Sequence, residues 1–436
     1  VLYVPQWFID RMHELVTNFL WNHKIPKVKH TCMIAELDQG GLKLPDIKCK
    51  IAAIKLIWIQ RIFDNSKHAW KEYLKYSLRN ENIVYLLVHS APRSNDIPRR
   101  LSNFYKQLFS FWHDFYSSNN SKQICVQPLW FNPCILIDNK TVYFPKFFEK
   151  GIQCIKDLCD ANGNILSIVQ LKNKYNVSTN FLDYLSLISA IPAKWKQCMK
   201  NTAIFPEFAI TDSPAIKICN IQKDLSKLKC KDFYWALAKT LANSPSSKAK
   251  WIDKLSLNYD DITWNFIYLL PHRMPIATYL QSLQFKILHR IFPSGTYLAK
   301  IGKQESDACM YCDNDAVDTI PHYFYACTTV NLLWQSIQNV VYDTYNVRIN
   351  IDCMDIIFGI VNLNDDIILN VLNYIILQAK RYIYDCKKEN RTIIFHTFCK
   401  ALQNSLDVLK IIMCKNNKAT DFDRQWQPLL SYLLQL

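Results

Sequence analysis

Four residues within a nineteen-residue stretch carry the most specific chemistry in this chain: Cys309, Cys312, His322 and Cys327. The two-residue gap between Cys309 and Cys312 lets one tight turn present both sulfurs to the same metal, and three thiolates with one imidazole close a tetrahedral zinc site. With 16 Cys in the chain, chance alone gives about half of one such pair, so the first two ligands mean little without the others. His322 and Cys327 follow Thr319-Ile320-Pro321. Proline in a first helical turn predicts a helix that starts there and carries both remaining ligands. A filled four-ligand site leaves no position for substrate, so the predicted zinc is structural.

Signatures of catalysis are scarce. Tyr259-Asp260-Asp261 is close to the aromatic-x-Asp-Asp metal site of polymerases but lacks the intervening residue. Asn364-Asp365-Asp366 has no aromatic partner, and its Asp pair falls where a helix N-terminal cap belongs. No Gly-x-Ser-x-Gly elbow or His-Glu-x-x-His pattern occurs. With seven Gly in the whole chain and one adjacent pair, Gly40-Gly41, no loop is dense enough in Gly to cradle a nucleotide's phosphates.

The elements that would position the metal ligands are mostly helical. Trp7, Phe8, Met12, Leu15, Val16, Phe19 and Leu20 recur at three- and four-residue steps, which predicts an amphipathic helix with one buried stripe. A basic turn follows with Lys24, Lys27 and Lys29, then the Gly40-Gly41 punctuation and a second helical pattern over 51–63. A surface loop is expected at 91–96. One hairpin is predicted at 134–144, with Asp138-Asn139-Lys140 as a three-residue turn between β-branched and aromatic runs. The 280–292 stretch reads as a helix with Lys286 and Arg290 one turn apart on an exposed side, and 366–388 as one long helix with basic residues in its last turns. The fold class is therefore mainly α, multi-lobed, with one small β-hairpin and a small zinc knuckle. The expected segments are 1–75, 76–200 with the hairpin, a basic helical region 201–305, the zinc segment 306–345, and a C-terminal helical region 346–436.

A net charge of +15 suits a polyanionic partner such as RNA or DNA. Eleven Lys against four acids between 194 and 250 mark one window as a linker or contact strip. The longest apolar run, 367–377, falls well short of the roughly 20 residues that span a bilayer. Cysteine-rich composition without a charged leader and apolar core predicts reduced thiols and an intracellular setting, cytoplasmic or nuclear, rather than secretion. Val1 in place of an initiating Met reads as a piece of a longer protein.

With these motifs in order, the chain resembles the C-terminal half of the reverse transcriptase protein of LINE-type (non-LTR) retrotransposons, from about residue 7 to about 390. Phe19-Leu20-Trp21, Lys24-x-Pro26-Lys27-x-Lys29, Gly40-Gly41-Leu42-x-Leu44-Pro45-Asp46 and Trp58-x-x-Arg61 are similar to the thumb region that follows the polymerase palm. Pro128-Leu129-Trp130-Phe131-Asn132-Pro133, Lys150-Gly151-Ile152, Asp157-Leu158, Asn162-Gly163 and Ala190-Ile191-Pro192-x-x-Trp195 resemble the middle of the same proteins. Phe285-Lys286-x-Leu288-His289-Arg290, the Cys309, Cys312, His322, Cys327 quartet and Trp334 are similar to the zinc-binding reverse-transcriptase segment, and Lys380-Arg381-Tyr382-Ile383-Tyr384 to an element beyond it.

The resemblance implies a thumb helix lying along a template–primer duplex, with Lys24, Lys27 and Lys29 neutralising phosphates without reading bases. It also implies a zinc-fixed loop at which Tyr311, Tyr323, Phe324 or nearby Lys300 and Lys303 meet a single strand by stacking and charge, while the exposed helix side read above for Lys286 and Arg290 is a further expected phosphate contact. Fingers and palm, with the catalytic Asp residues, would lie upstream of Val1, and no endonuclease is recognisable after Cys327. The expected function is therefore nucleic-acid holding without catalysis. The alternative is a helical scaffold or protein-interaction remnant with a purely structural zinc. A stand-alone nuclease would need a carboxylate cluster that the sequence does not offer.

Overall fold

The computed structural model describes residues 3–62, 67–78, 101–119, 129–130, 132, 134–200, 215–218, 221–256, 263–274, 277–312, 316–361, 363 and 365–436. The loop expected at 91–96, the Tyr259-Asp260-Asp261 triplet and parts of the 128–133 motif lie outside these residues. The fold is mainly helical, as the periodicities predict. Its contacts divide the chain into two compact units: residues 1–24 with 45–241, and residues 25–44 with 242–436. Lys27 and Lys29 of the basic turn and the Gly-Gly segment therefore belong to the second unit, although they follow the first helix in sequence, while Lys24 closes the first stretch of the first unit.

In the first unit, helices Ile47–Ile62, Asn103–Asn119 and Cys230–Leu241 share a core of Ala52, Ala53, Leu56, Leu108, Trp112, Phe115 and Phe233. A second cluster gathers Trp130, Phe147, Ile152, Leu171 and Leu187. The predicted hairpin is present but tighter than expected. Leu136 pairs with Thr141 and Ile137 with Lys140, which leaves Asp138 and Asn139 as a two-residue turn with φ of 51° and 60°. Two left-handed residues give the turn whose twist matches antiparallel strands, and Asp and Asn tolerate that conformation, so Lys140 joins the ladder instead of the turn. A second ladder, Ala215–Ile218 with Ile221–Asp224, has no counterpart in the sequence-based expectation.

The first helix, Gln6–Trp21, forms as predicted, but its apolar stripe is not buried. Ile9 alone is buried, while Trp7 is 69% and Phe19 85% exposed. Periodicity fixes which residues share a face; burial requires a partner surface, and that information is not local.

The second unit is built around Asp366–Lys388, a helix buried almost all round by Val371, Leu372, Ile375, Ile376, Ala379 and Ile383. Asp365 caps it by accepting from the Ile367 and Ile368 amides at 2.8 and 3.0 Å, as its Asp pair predicted. Helices Thr278–Leu288, Thr328–Tyr345 and Phe395–Lys415 contribute to the same core. The Gly40-Gly41 turn doubles back on the short helix His30–Ile34, with the Leu42 amide donating to the Met33 carbonyl at 3.0 Å. Gly40 takes φ 82°, and a Cβ on Gly41 would lie 1.9 Å from the Ala35 carbonyl oxygen, so neither position accepts a side chain. Among the described residues, no helix is long and apolar enough to cross a membrane.

Candidate metal centre and basic surface

The knuckle is assembled by backbone pairing. The Cys309 amide donates to the Ala316 carbonyl at 2.7 Å and the Asp318 amide to Asp307 at 2.7 Å, so the Cys309–Cys312 turn folds back on the strand-like residues that precede His322. The remaining two ligands do not sit on one regular helix. Residues His322–Ala326 form a single π-turn, closed by the Cys327 amide donating to the His322 carbonyl at 3.0 Å, and Cys327 then caps the helix Thr328–Tyr345. Five residues of α-helix advance about 1.4 turns, which would point the two side chains about 140° apart. The wider π-turn brings them back toward one side, the reason a helix expectation fails here.

The four ligand atoms lie within 4.8 Å of one another. Cys309 Sγ is 3.9 Å from Cys327 Sγ, and Cys312 Sγ is 3.4 Å from His322 Nε2. Tetrahedral zinc with ordinary Zn–S and Zn–N bonds has S–S edges of about 3.8 Å and S–N edges of about 3.6 Å, so these separations are those of a coordination shell. The donor set of three sulfurs and one nitrogen fits zinc. No position is left for a substrate.

Electrostatics around the ligands are uneven. Burial pushes the Cys309 thiol up to about 12. Cys327 is buried too, yet its pKa is lowered because the Thr329 hydroxyl, 3.1 Å away, and the Lys387 ammonium outweigh desolvation. Burial lowers the His322 pKa, the Lys387 charge lowers it further and Asp318 opposes both, so the surroundings favour the neutral imidazole that a metal requires. Asp318 is itself buried, which raises its pKa, and its Oδ2 accepts from the Gly295 amide at 2.7 Å.

The aromatic residues expected to stack on a strand are mostly committed elsewhere. Phe324 is fully buried against Phe292, and its carbonyl accepts from Trp334 Nε1 at 2.7 Å. Tyr323 is buried beside Phe292. Tyr311 is half-buried, with its hydroxyl donating to the Lys387 carbonyl, so it clamps the knuckle to the end of the long helix. These residues shape the metal centre.

The basic residues divide into two kinds. Arg290 lies beyond the end of its helix, with φ 55°, and is spent internally: its guanidinium covers Trp251 at 4.9 Å and donates to the Lys250 carbonyl at 2.6 Å. It therefore does not share a helix face with Lys286. Lys286 is exposed and has a lowered pKa, first from partial desolvation and then from the neighbouring charges of Lys27 and Arg381. Those three cations come from separate stretches of the second unit. Lys27 lies over the Tyr297 ring at 4.6 Å, and Arg381 over Tyr279 at 5.1 Å while pairing with Asp385 at 2.6 Å. Lys300 is exposed on the same short helix as Tyr297, and Lys303 is exposed just after it. Lys29 is exposed at the start of the His30–Ile34 helix; Lys24 is exposed in the first unit.

Arg381 is the member of this surface that sequence reading did not place there. Its neighbours in sequence are the buried Lys380 and Tyr382, so only the fold shows which of the three reaches solvent. Compared with known proteins, the chain matches no family model and no curated protein.

Proposed function

We propose that this chain holds a nucleic-acid strand without acting on it, as the zinc-bearing C-terminal portion of a LINE-type reverse transcriptase would. The observation that carries this reading is the convergence of Lys27, Lys286 and Arg381: partial burial lowers the Lys286 pKa first, and the charges of Lys27 and Arg381 lower it further. Like charges brought together at a surface are costly alone and are relieved by an anion, and a phosphodiester backbone supplies several in a row. Tyr279, 49% exposed beside Arg381, offers a ring on which a base can stack. Zinc in the Cys309, Cys312, His322, Cys327 set fixes the local loop and contributes no chemistry to a substrate.

The test is binding of a labelled single-stranded RNA by the purified chain and by the triple variant K27E/K286E/R381E. Loss of binding in the variant supports the proposal. A parent that binds no strand, or a variant that binds as well as the parent, removes it. The second reading, a protein-interaction role, is favoured by the exposed apolar face of Gln6–Trp21, where Trp7, Phe8, Leu15 and Phe19 lie open.

A further inference from the structure

Lys387 is 3% exposed, an ammonium held in the interior of the second unit. Long cationic side chains are almost never this buried unless paired with an opposite charge. Its Nζ donates to the Tyr323 carbonyl at 3.2 Å and lies 4.4 Å from the Tyr323 ring centre and 5.1 Å from that of Tyr311, and its charge helps lower the Cys327 pKa. A carbonyl and two ring faces satisfy its hydrogens without cancelling its charge. The Asp318 carboxylate lies within its field, and that group is engaged by the Gly295 amide. Lys387 therefore stands beside the metal ligands with no carboxylate in direct contact among the described residues.

Three thiolates, a neutral imidazole and a dication sum to one negative charge, delocalised over sulfurs that are buried at Cys309 and Cys327. We propose that Lys387 is the internal counter-charge of this zinc centre, binding the filled site's negative charge and thereby setting how long the metal is retained. The proposal rests on the zinc reading of the four ligands. It makes Lys387 a positioning residue that acts through Cys327 rather than a fifth ligand. Outer-sphere partners of this kind change metal affinity by about 10- to 100-fold when removed.

The experiment compares the parent with Lys387→Arg and Lys387→Gln, following zinc release to a chromophoric chelator and alkylation of Cys309, Cys312 and Cys327 by mass spectrometry. Both replacements are polar and can donate hydrogen bonds, but only one is charged. Arg is expected to stay near the parent, and Gln to release zinc about 10- to 100-fold faster with parallel exposure of the thiols. Equal retention by Arg and Gln, whether both near the parent or both lost, would overturn the charge role. If Gln lowers the helical signal, the same comparison is made on the fraction that remains folded, separated by gel filtration. A parent that takes up no zinc at all removes the metal reading itself, a result distinct from a zinc-loaded parent indifferent to the charge at 387.

Discussion

Salt titration gives the most quantitative consequence of the basic surface. Lys27 and Lys286 have no acidic partner among their described contacts, whereas Arg381 shares its charge with Asp385 at 2.6 Å. The pair therefore counts as two phosphate contacts, and Arg381 adds a third once a phosphate draws it from Asp385. Each neutralised phosphate on a single strand contributes about −0.7 to the slope of log affinity against log salt, so Lys27→Gln with Lys286→Gln should reduce the slope's magnitude by about 1.4. Between about 50 and about 200 mM salt, the affinity gap between parent and double variant should shrink about 7-fold, or about 18-fold if Arg381 is also replaced. Fluorescence anisotropy of a labelled single-stranded RNA across a KCl series reads this directly. Because other lysines add to both slopes equally, only the difference matters. Identical slopes for parent and double variant would refute the placement of a strand on this surface, even if both proteins bind.

Three further outcomes follow from particular side chains. Cys309→Ser should lower the zinc-to-protein ratio measured by elemental mass spectrometry and open the 307–327 segment to limited proteolysis; unchanged metal content would remove the site. His289 is buried, with its Nε2 bonded to the Gly40 carbonyl at 2.9 Å, and burial lowers its pKa to about 4 against an unfolded value near 6.5. Between those values the unfolded chain takes up a proton that the folded one refuses, so up to about 3 kcal/mol should be lost as pH falls from 6.5 to 4, and His289→Gln should flatten that part of a denaturation–pH curve. Lys380 is buried, donating to Gln284 Oε1 at 2.8 Å, and burial pushes its pKa down to about 7. Here the folded state refuses the proton above about 7, so stability should rise with pH through the window up to the ordinary lysine range; Lys380→Met should lose that slope, whatever its offset from an unpaired Gln284.

How much of this was legible depended on how local each signal is. The metal quartet lies within nineteen residues, so ligand type and spacing specify it before any fold is known. The 366–388 helix announces itself by an Asp cap and an uninterrupted period, and it appears with the predicted bounds. The hairpin was located correctly, while its turn length was set by the left-handed preference of Asp138 and Asn139, which competes with simple counting of β-branched residues. The π-turn between His322 and Cys327 has no composition signal of its own; it is a helix distorted to satisfy two ligands. Non-local facts were out of reach. The exposed stripe of Gln6–Trp21, the meeting of Lys27 with Lys286 and the burial of Lys380 and Lys387 all depend on which surfaces the chain later brings together.

The basic lysines show why residue type alone misleads at such positions. Lys380, Arg381 and Lys387 look alike in sequence as cations near a helix C-terminus, where the macrodipole welcomes them. In the fold they have three different fates, because the helix is packed on most of its circumference. Lys380 points into the core toward Gln284, Arg381 leans on Tyr279 and Tyr384 at the surface, and Lys387 donates to the Tyr323 carbonyl beside the ligand His322. Arg381 and Lys387 are six residues apart, which on an α-helix is a rise of about 9 Å and a rotation of about 240°. One rigid rod therefore joins the metal centre on one side to the cationic surface on another. Tyr311 fastens the knuckle to that rod through the Lys387 carbonyl, so the candidate metal centre and the cationic surface are held in register by ordinary helix geometry, with no need for a loop to connect them.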